Sequence, residues 1–243
     1  MKVLTFLYGL LAYLIFFGTF LYAAGFMGNM FVPKDIDTGI ETHVFRAILI
    51  NSALLAVFAI QHSLMARPAF KRWWTKIIGT AGERSTYVLF SSLALILLFW
   101  QWVPIKDMIW EVRNEQLVLV IQGIFILGLL VVLLSTFMIN HFDLFGLKQV
   151  YENLVGKASL EQPFTTNYFY GLVRHPIMLG FLIMLWAVPT MTLGHLIFSL
   201  GASAYIFIAV KYLEERDLRN MLGEQYETYQ KKVPMLIPFI GWK

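Results

Sequence analysis

The chain of 243 residues contains no cysteine, which excludes disulfides, a thiolate nucleophile and any cysteine-ligated metal site. Charge is scarce as well. Only 14% of the residues are charged and 58% are hydrophobic, too apolar a balance for a soluble domain of this size. The net charge of +4 is too small to argue for nucleic acid and is better explained by membrane topology. The sequence has neither an internal repeat nor a low-complexity linker, so one integral domain, residues 1–243, is the simplest organisation.

What is present is a series of long apolar runs. Val3 to Phe31, Val44 to Met65, Thr86 to Val103 and Leu117 to Ile139 each read as a span, since ~20 residues cross a bilayer. The first continues with no small-residue cleavage site, so a span is expected there and not a signal peptide. A fifth apolar stretch lies between Arg174-His175-Pro176 and Glu214-Glu215 and is too long for one span. Pro189, Thr190, Thr192 and Gly194 offer a break near its middle. The expected fold class is therefore all-α: a polytopic integral membrane helical bundle of five to six spans. The last two form a helical hairpin whose first arm crosses wholly or in part.

Orientation follows from the short loops. Arg67, Lys71, Arg72, Lys76 and Arg84 follow the second run against the single acid Glu83, whereas the loops after the first and third runs are mixed or acidic. The positive-inside rule places the basic segment, and with six crossings both termini, in the cytoplasm. Phe70-Lys71-Arg72-Trp73-Trp74 is expected at the headgroups. In the tail from Arg216 to Lys243, Tyr226 and Tyr229 share a helical face, and Pro234 and Pro238 stop that helix. With this topology Gln61-His62-Ser63, Asn140-His141-Phe142-Asp143, Arg174-His175 and Glu214-Glu215 all reach the cytoplasmic side. A soluble cofactor has access to a site built from them.

Each polar group has a functional and a plain reading. Pro176 suits the first turn of a helix, and Arg174 beside that N-terminus suits an anionic group. The plain reading is an arginine snorkelling beside a solvated histidine. Glu214 and Glu215 point about 100° apart on a helix, so one faces a cationic or hydroxylated ligand while the other pairs with Lys211 or Arg216. The plain reading is a charged helix end in water. His141 oriented by Asp143 makes a general base near neutral pH if the helix ends there, which Gly146 permits. The alternative is an interfacial cap followed by a short amphipathic helix from Leu144 to Tyr151. Gln61-His62-Ser63 reads equally as a buried hydrogen-bonding cluster or as interface solvation. His62, His141, His175 and Asp143 show no close ligand spacing, so no metal site is expected.

Read together, the C-terminal signals are more specific. Arg174-His175-Pro176, Gly180, Glu214-Glu215, Gly223-Glu224-Gln225-Tyr226-Glu227-Thr228-Tyr229 and Val233-Pro234-Met235-Leu236-Ile237-Pro238 resemble the membrane methyltransferase superfamily. That superfamily includes isoprenylcysteine carboxyl methyltransferases and phospholipid methyltransferases. Gln61 to Pro68 and Asn140 to Leu147 resemble the motifs of one bacterial branch, the methanethiol S-methyltransferases. Met178 departs from the wider superfamily, which often carries tyrosine there, and this weakens the lipid and prenyl-protein readings.

The resemblance implies S-adenosylmethionine as methyl donor, bound by the region 174–238. Arg174 and His175 hold its polar end, Gly180 belongs to the same binding region, Glu215 with Glu214 lies at its amino or ribose groups, and the segment from Tyr226 to Pro238 folds back over it. It implies methanethiol as the small thiol substrate, dimethyl sulfide as product, and a bacterial inner-membrane location with the site facing the cytoplasm. A Cys-type thiol has a pKa of ~8.5 and a small alkanethiol is no more acidic, so a base helps. His141 with Asp143 is the first candidate and His62 the second. Two other readings stay open: methylation of a lipid amine or prenylcysteine carboxylate, and a non-catalytic transporter.

Overall fold

The computed structural model describes residues 1–157 and 164–239. Its elements, in order, are α1 (Lys2–Gly28), α2 (Val44–Ala66), α3 (Pro68–Ile78), α4 (Thr80–Gln101), β1 (Met108–Glu111), α5 (Glu115–Met138), α6 (His141–Leu144) and α7 (Leu147–Val155). They continue with α8 (Phe169–Leu172), α9 (Pro176–Trp186), β2 (Thr190–Thr192), α10 (Leu193–Ile208), a π-helical segment (Ala209–Glu214), α11 (Glu215–Leu222) and α12 (Glu224–Lys232). Among the described residues five helices are long and apolar enough to cross a membrane: α1, α2, α4, α5 and the continuous helix Leu193–Leu222. The protein is thus an all-α polytopic membrane protein, with one two-stranded ribbon that the apolar runs did not announce. The final residues of the tail, 240–243, lie outside the described residues.

Helix ends differ from the hydropathy runs for local reasons. α1 stops at Gly28 because Asn29 takes a left-handed conformation (φ 52°) and returns its N–H to Gly25 O. α4 begins at Thr80, earlier than expected, because Glu83 and Arg84 belong to its first turns. The amphipathic helix expected over Leu144 to Tyr151 is offset to α7 because Gly146, at φ 87°, caps it.

The chain divides into two compact units. The first comprises residues 1–107 and 140–157 of the described chain. Here α1 packs along α4, α2 and α3 pack on α4, and α7 lies against α1 and α4. A Cβ at Gly9 would fall 2.5 Å from Val150 Cγ2, so α1 and α7 meet at this position only because Gly9 has none. The fully buried Asn51 of α2 donates to Val103 O (2.8 Å) and accepts from Val103 N (3.0 Å), which satisfies an amide inside an apolar bundle.

The second unit comprises residues 108–139 and 164–239. α5 and α9 approach closely at two glycines: a Cβ on Gly180 would lie 2.7 Å from Gly128 O. α9 has 11 residues, about half a bilayer core at ~1.5 Å per residue. The chain then turns extended through β2, which pairs antiparallel with β1 (Met108 opposite Thr192, Glu111 opposite Thr190). Val112 N–H bonds Pro189 O (2.9 Å) and Trp110 Nε1 bonds Val188 O (3.3 Å), so the non-helical backbone finds its partners in protein. The descending arm is therefore about 16 Å of helix followed by a bend at Pro189 and the three-residue strand β2. The return arm is one long helix, about 33 Å from Leu193 to Glu215. The two arms bring Arg174 and Glu215 into direct contact.

Candidate active site

Glu215 is the centre of a buried cluster in the second unit. Arg174, His175 and Glu215 are each only 6% exposed. Arg174 Nε donates to Glu215 Oε1 at 2.6 Å, and its Nη1 donates to the carbonyls of Val233 (2.5 Å) and Gln230 (3.3 Å). His175 Nε2 lies 3.1 Å from Glu215 Oε1, and Tyr226 donates its hydroxyl proton to the same oxygen at 3.2 Å. Gln230 Nε2 donates to Glu215 Oε2 at 2.7 Å. The carboxylate is thereby satisfied on both oxygens, as a buried charge has to be.

The local sequence explains how these groups meet. Pro176 opens α9, which leaves Arg174 and His175 just outside its first turn. Their backbone N–H groups bond Pro234 O (2.9 Å) and Met235 O (3.2 Å), so the segment after α12 runs across them. The π-helical segment ends at Glu214, and Glu215 starts the next α-helix. Such a break in helical phase is a frequent device at functional sites. Here it lets adjacent acids address one ring: Glu214 Oε2 lies 3.5 Å from His175 Nδ1 while Glu215 holds Nε2. Both acids thus contact one histidine, a meeting that the sequence reading did not anticipate.

Electrostatics follow from this packing. Burial alone would lower the His175 pKa, but Glu214 and then Glu215 overcome it and raise it to about 9. The ring is an imidazolium at neutral pH. Burial, with Glu215 adding and Arg174 opposing, pushes the phenol of Tyr229 up to about 12. Tyr226 is likewise raised, first by burial and then by Glu215. Both phenols remain donors; Tyr229 gives its proton to Tyr170 O at 2.5 Å.

Gly180 stands one turn further along α9, packed on the α5 backbone as described above. Gln230 and Tyr170, which sequence reasoning missed, complete the surroundings of the cluster. Gln230 had a signal, since it lies four residues beyond Tyr226 on one helical face.

The remaining candidates fall in the first unit. His141 is 3% exposed, and its Nε2 lies 2.8 Å from the hydroxyl of Tyr13 in α1. Asn140, at φ 79°, caps α6 by accepting from Asp143 N–H. The Asp143 carboxylate faces Lys148 Nζ at 3.5 Å and Gln149 Nε2 at 3.4 Å. The partner seen on His141 Nε2 is therefore a tyrosine from α1, where an aspartate two residues away was expected. His62 is held by Ser91 Oγ (3.1 Å to Nδ1) and Tyr87 OH (2.9 Å to Nε2), with Phe58 stacked on its ring at 5.2 Å.

Five spanning helices, a broken hairpin arm and a buried histidine clamped by two acids define a polytopic membrane protein with a charged site at a helix boundary. The NnrU protein family matches residues 50–240, and the chain belongs to that family. It is 51% identical to "Methanethiol S-methyltransferase 1" of Bradyrhizobium diazoefficiens, over 98% of this chain and 83% of that protein. It is 49% identical to "Methanethiol S-methyltransferase" of Mycobacterium tuberculosis, over 98% of this chain and 97% of that protein. A more distant relative is "Nurim" of Rattus norvegicus, 32% identical over 79% of this chain and 75% of that protein. No solved structure matches.

Proposed function

We propose that this protein methylates methanethiol to dimethyl sulfide, with S-adenosylmethionine as donor, at the cytoplasmic face of a bacterial inner membrane. The observation that carries the reading is the near full-length identity of about half to proteins named for that activity. The cytoplasmic assignment rests on the basic segment from Arg67 to Arg84.

The residues present fit the donor. S-adenosylmethionine carries a carboxylate, an ammonium and a sulfonium, so its site needs charges of both signs. Arg174 and protonated His175 supply cations, and Glu214 and Glu215 supply anions. Glu214 contacts His175 with its side chain 47% exposed. Arg174, His175, Glu214, Glu215 and Tyr226 would hold the donor, with Gly180 bringing α9 close against its neighbour. When bound, the donor supplies an electrophilic methyl group. Burial around the cluster excludes water, which favours a step in which a cation and an anion become neutral products.

The thiol has to lose its proton before it attacks. His141 is the assigned base: burial lowers its pKa below the ordinary 6.5, so the ring is neutral at physiological pH and able to accept. Asp143 acts on it at most by holding α6 in place through Lys148, and His62 is the second candidate.

Membranes containing the protein, given methanethiol and S-adenosylmethionine, are expected to release dimethyl sulfide into the headspace. Membranes of the same host without it are expected to release none. Absence of the product from the first sample refutes the reading, and a methylated lipid in its place assigns the protein to the lipid-modifying relatives.

A further inference from the structure

His141 cannot be reached directly at the nitrogen the structure shows engaged. Its ring is buried, and its Nε2 is covered by the Tyr13 hydroxyl at 2.8 Å. Tyr13 is the more exposed member of the pair. Around them stand four phenylalanines. Phe16 and Phe17 follow Tyr13 by three and four residues on the same face of α1, with ring centroids 6.1 and 6.4 Å from it. Phe142 lies 6.1 Å from Tyr13 and 5.3 Å from His141, and Phe145 lies 4.9 Å from His141. Phe17 and Phe142 are both exposed large hydrophobics, so the cluster presents an apolar outer side. Divalent sulfur makes favourable contacts with aromatic rings at ~5 Å. An aromatic cage with one polar handle fits a small alkanethiol better than it fits a charged or hydroxylated ligand.

We propose that this cage is the thiol-receiving site and that Tyr13, not His141, is the group that touches the thiol. The inference rests on the methyltransferase reading above. As the S–H bond breaks, the thiol proton passes to Tyr13 Oη while the Tyr13 hydroxyl proton passes to His141 Nε2. The sulfur keeps the electron pair as a thiolate, tyrosine is regenerated neutral, and the imidazolium later loses its proton to water. With the phenol donating to Nε2, the neutral ring carries its own proton on Nδ1 before the transfer. Several charged groups on the packed elements have partners of their own. Arg84 of α4 donates to Leu144 O at 2.8 Å, and Asp143 and Glu152 face Lys148.

The test is steady-state kinetics of dimethyl sulfide formation by Tyr13→Phe, His141→Gln and the double variant across pH. S-adenosylmethionine binding counts the folded molecules. Tyr13→Phe is expected to lower kcat about 100-fold or more at neutral pH without weakening S-adenosylmethionine binding. The ratio of wild-type to variant kcat should fall towards one as pH rises through the thiol pKa, because solvent then supplies the thiolate. His141→Gln should show the same loss, and the double variant should be no slower than either single one. Normal kcat per folded Tyr13→Phe molecule, a loss independent of pH, or multiplied losses in the double variant would each overturn the relay. A wild-type protein that makes no dimethyl sulfide refutes the methyltransferase reading itself, a result none of the variants can produce.

Discussion

His141 and His175 are buried to nearly the same degree, 3% and 6% exposed, yet their protonation is pushed in opposite directions. His141 sits among phenyl rings and a phenol, so burial lowers its pKa and it stays neutral. His175 sits between two carboxylates, so burial is overcome and the pKa rises to about 9. Depth of burial therefore says little about charge in this protein, and the identity of the neighbours decides it. A neutral ring can take a proton, whereas an imidazolium can hold an anion and fix two helix ends.

The largest effect is expected from removing the acid that the second region is built on. Glu215→Ala leaves Arg174 and His175 facing each other without their common counter-ion. Breaking such a buried pair costs about 3–5 kcal/mol, so thermal denaturation in detergent should show a marked loss of stability. The double replacement Arg174→Met with Glu215→Leu should recover much of that loss and, on the proposed function, should bind S-adenosylmethionine more weakly than the parent. A single variant as stable as the parent would mean that the cluster is far better solvated than its burial implies.

How far the sequence could foretell these two regions differs as well. The helices were legible because lipid demands long apolar runs, and the bracketing of one such stretch by Arg174-His175 and Glu214-Glu215 pointed to a hairpin. The ribbon between β1 and β2 was not legible. It joins Met108–Glu111 to residues about eighty positions later, and β1 is exposed, so no alternation of polar and apolar residues marks it. The π-helical phase shift before Glu215 leaves no pattern in Ala209–Glu214 that hydropathy could register. Tyr13 was hidden differently: it is a single hydroxyl in an apolar run, 128 residues from its histidine. The Arg174–Glu215 pair shows the reverse: the sequence marks both residues for a ligand, and only the fold brings them into contact with each other.

A second way to sharpen the contrast is to scan stability against pH. His175 has a folded pKa of about 9, above the ordinary 6.5, so its contribution is complete below 6.5 and is lost as pH rises through about 9. His141 has a lowered pKa, so its contribution is complete above 6.5 and is lost as pH falls towards the depressed value. The melting temperature should therefore decline on both sides of neutrality, each limb belonging to one histidine. His175→Gln should remove most of the alkaline decline and leave the acid one, and His141→Gln should do the reverse. A scan in which both variants keep both limbs would show that other groups set the pH dependence.

The smallest effect is expected at Gly180, where packing and cofactor binding make separable claims. A methyl group there would meet Gly128 O at 2.7 Å and Val132 N at 2.9 Å, both backbone atoms that cannot swing aside. Gly180→Ala should therefore push α9 from α5 and cost about 1–3 kcal/mol, the usual range for overpacking. Since α9 carries Arg174 and His175 at its start, a displacement of its axis would also be felt at the charged cluster. Two measurements separate these consequences: the midpoint of thermal unfolding, and S-adenosylmethionine affinity per folded molecule. If Gly180 only sets the helix distance, stability falls and affinity stays within a few-fold, because the Arg174–Glu215 pair and the backbone bonds to Pro234 and Met235 hold the cluster together. If affinity collapses while the unfolding midpoint is unchanged, Gly180 lies against the donor, and the close approach to Gly128 is incidental to its role.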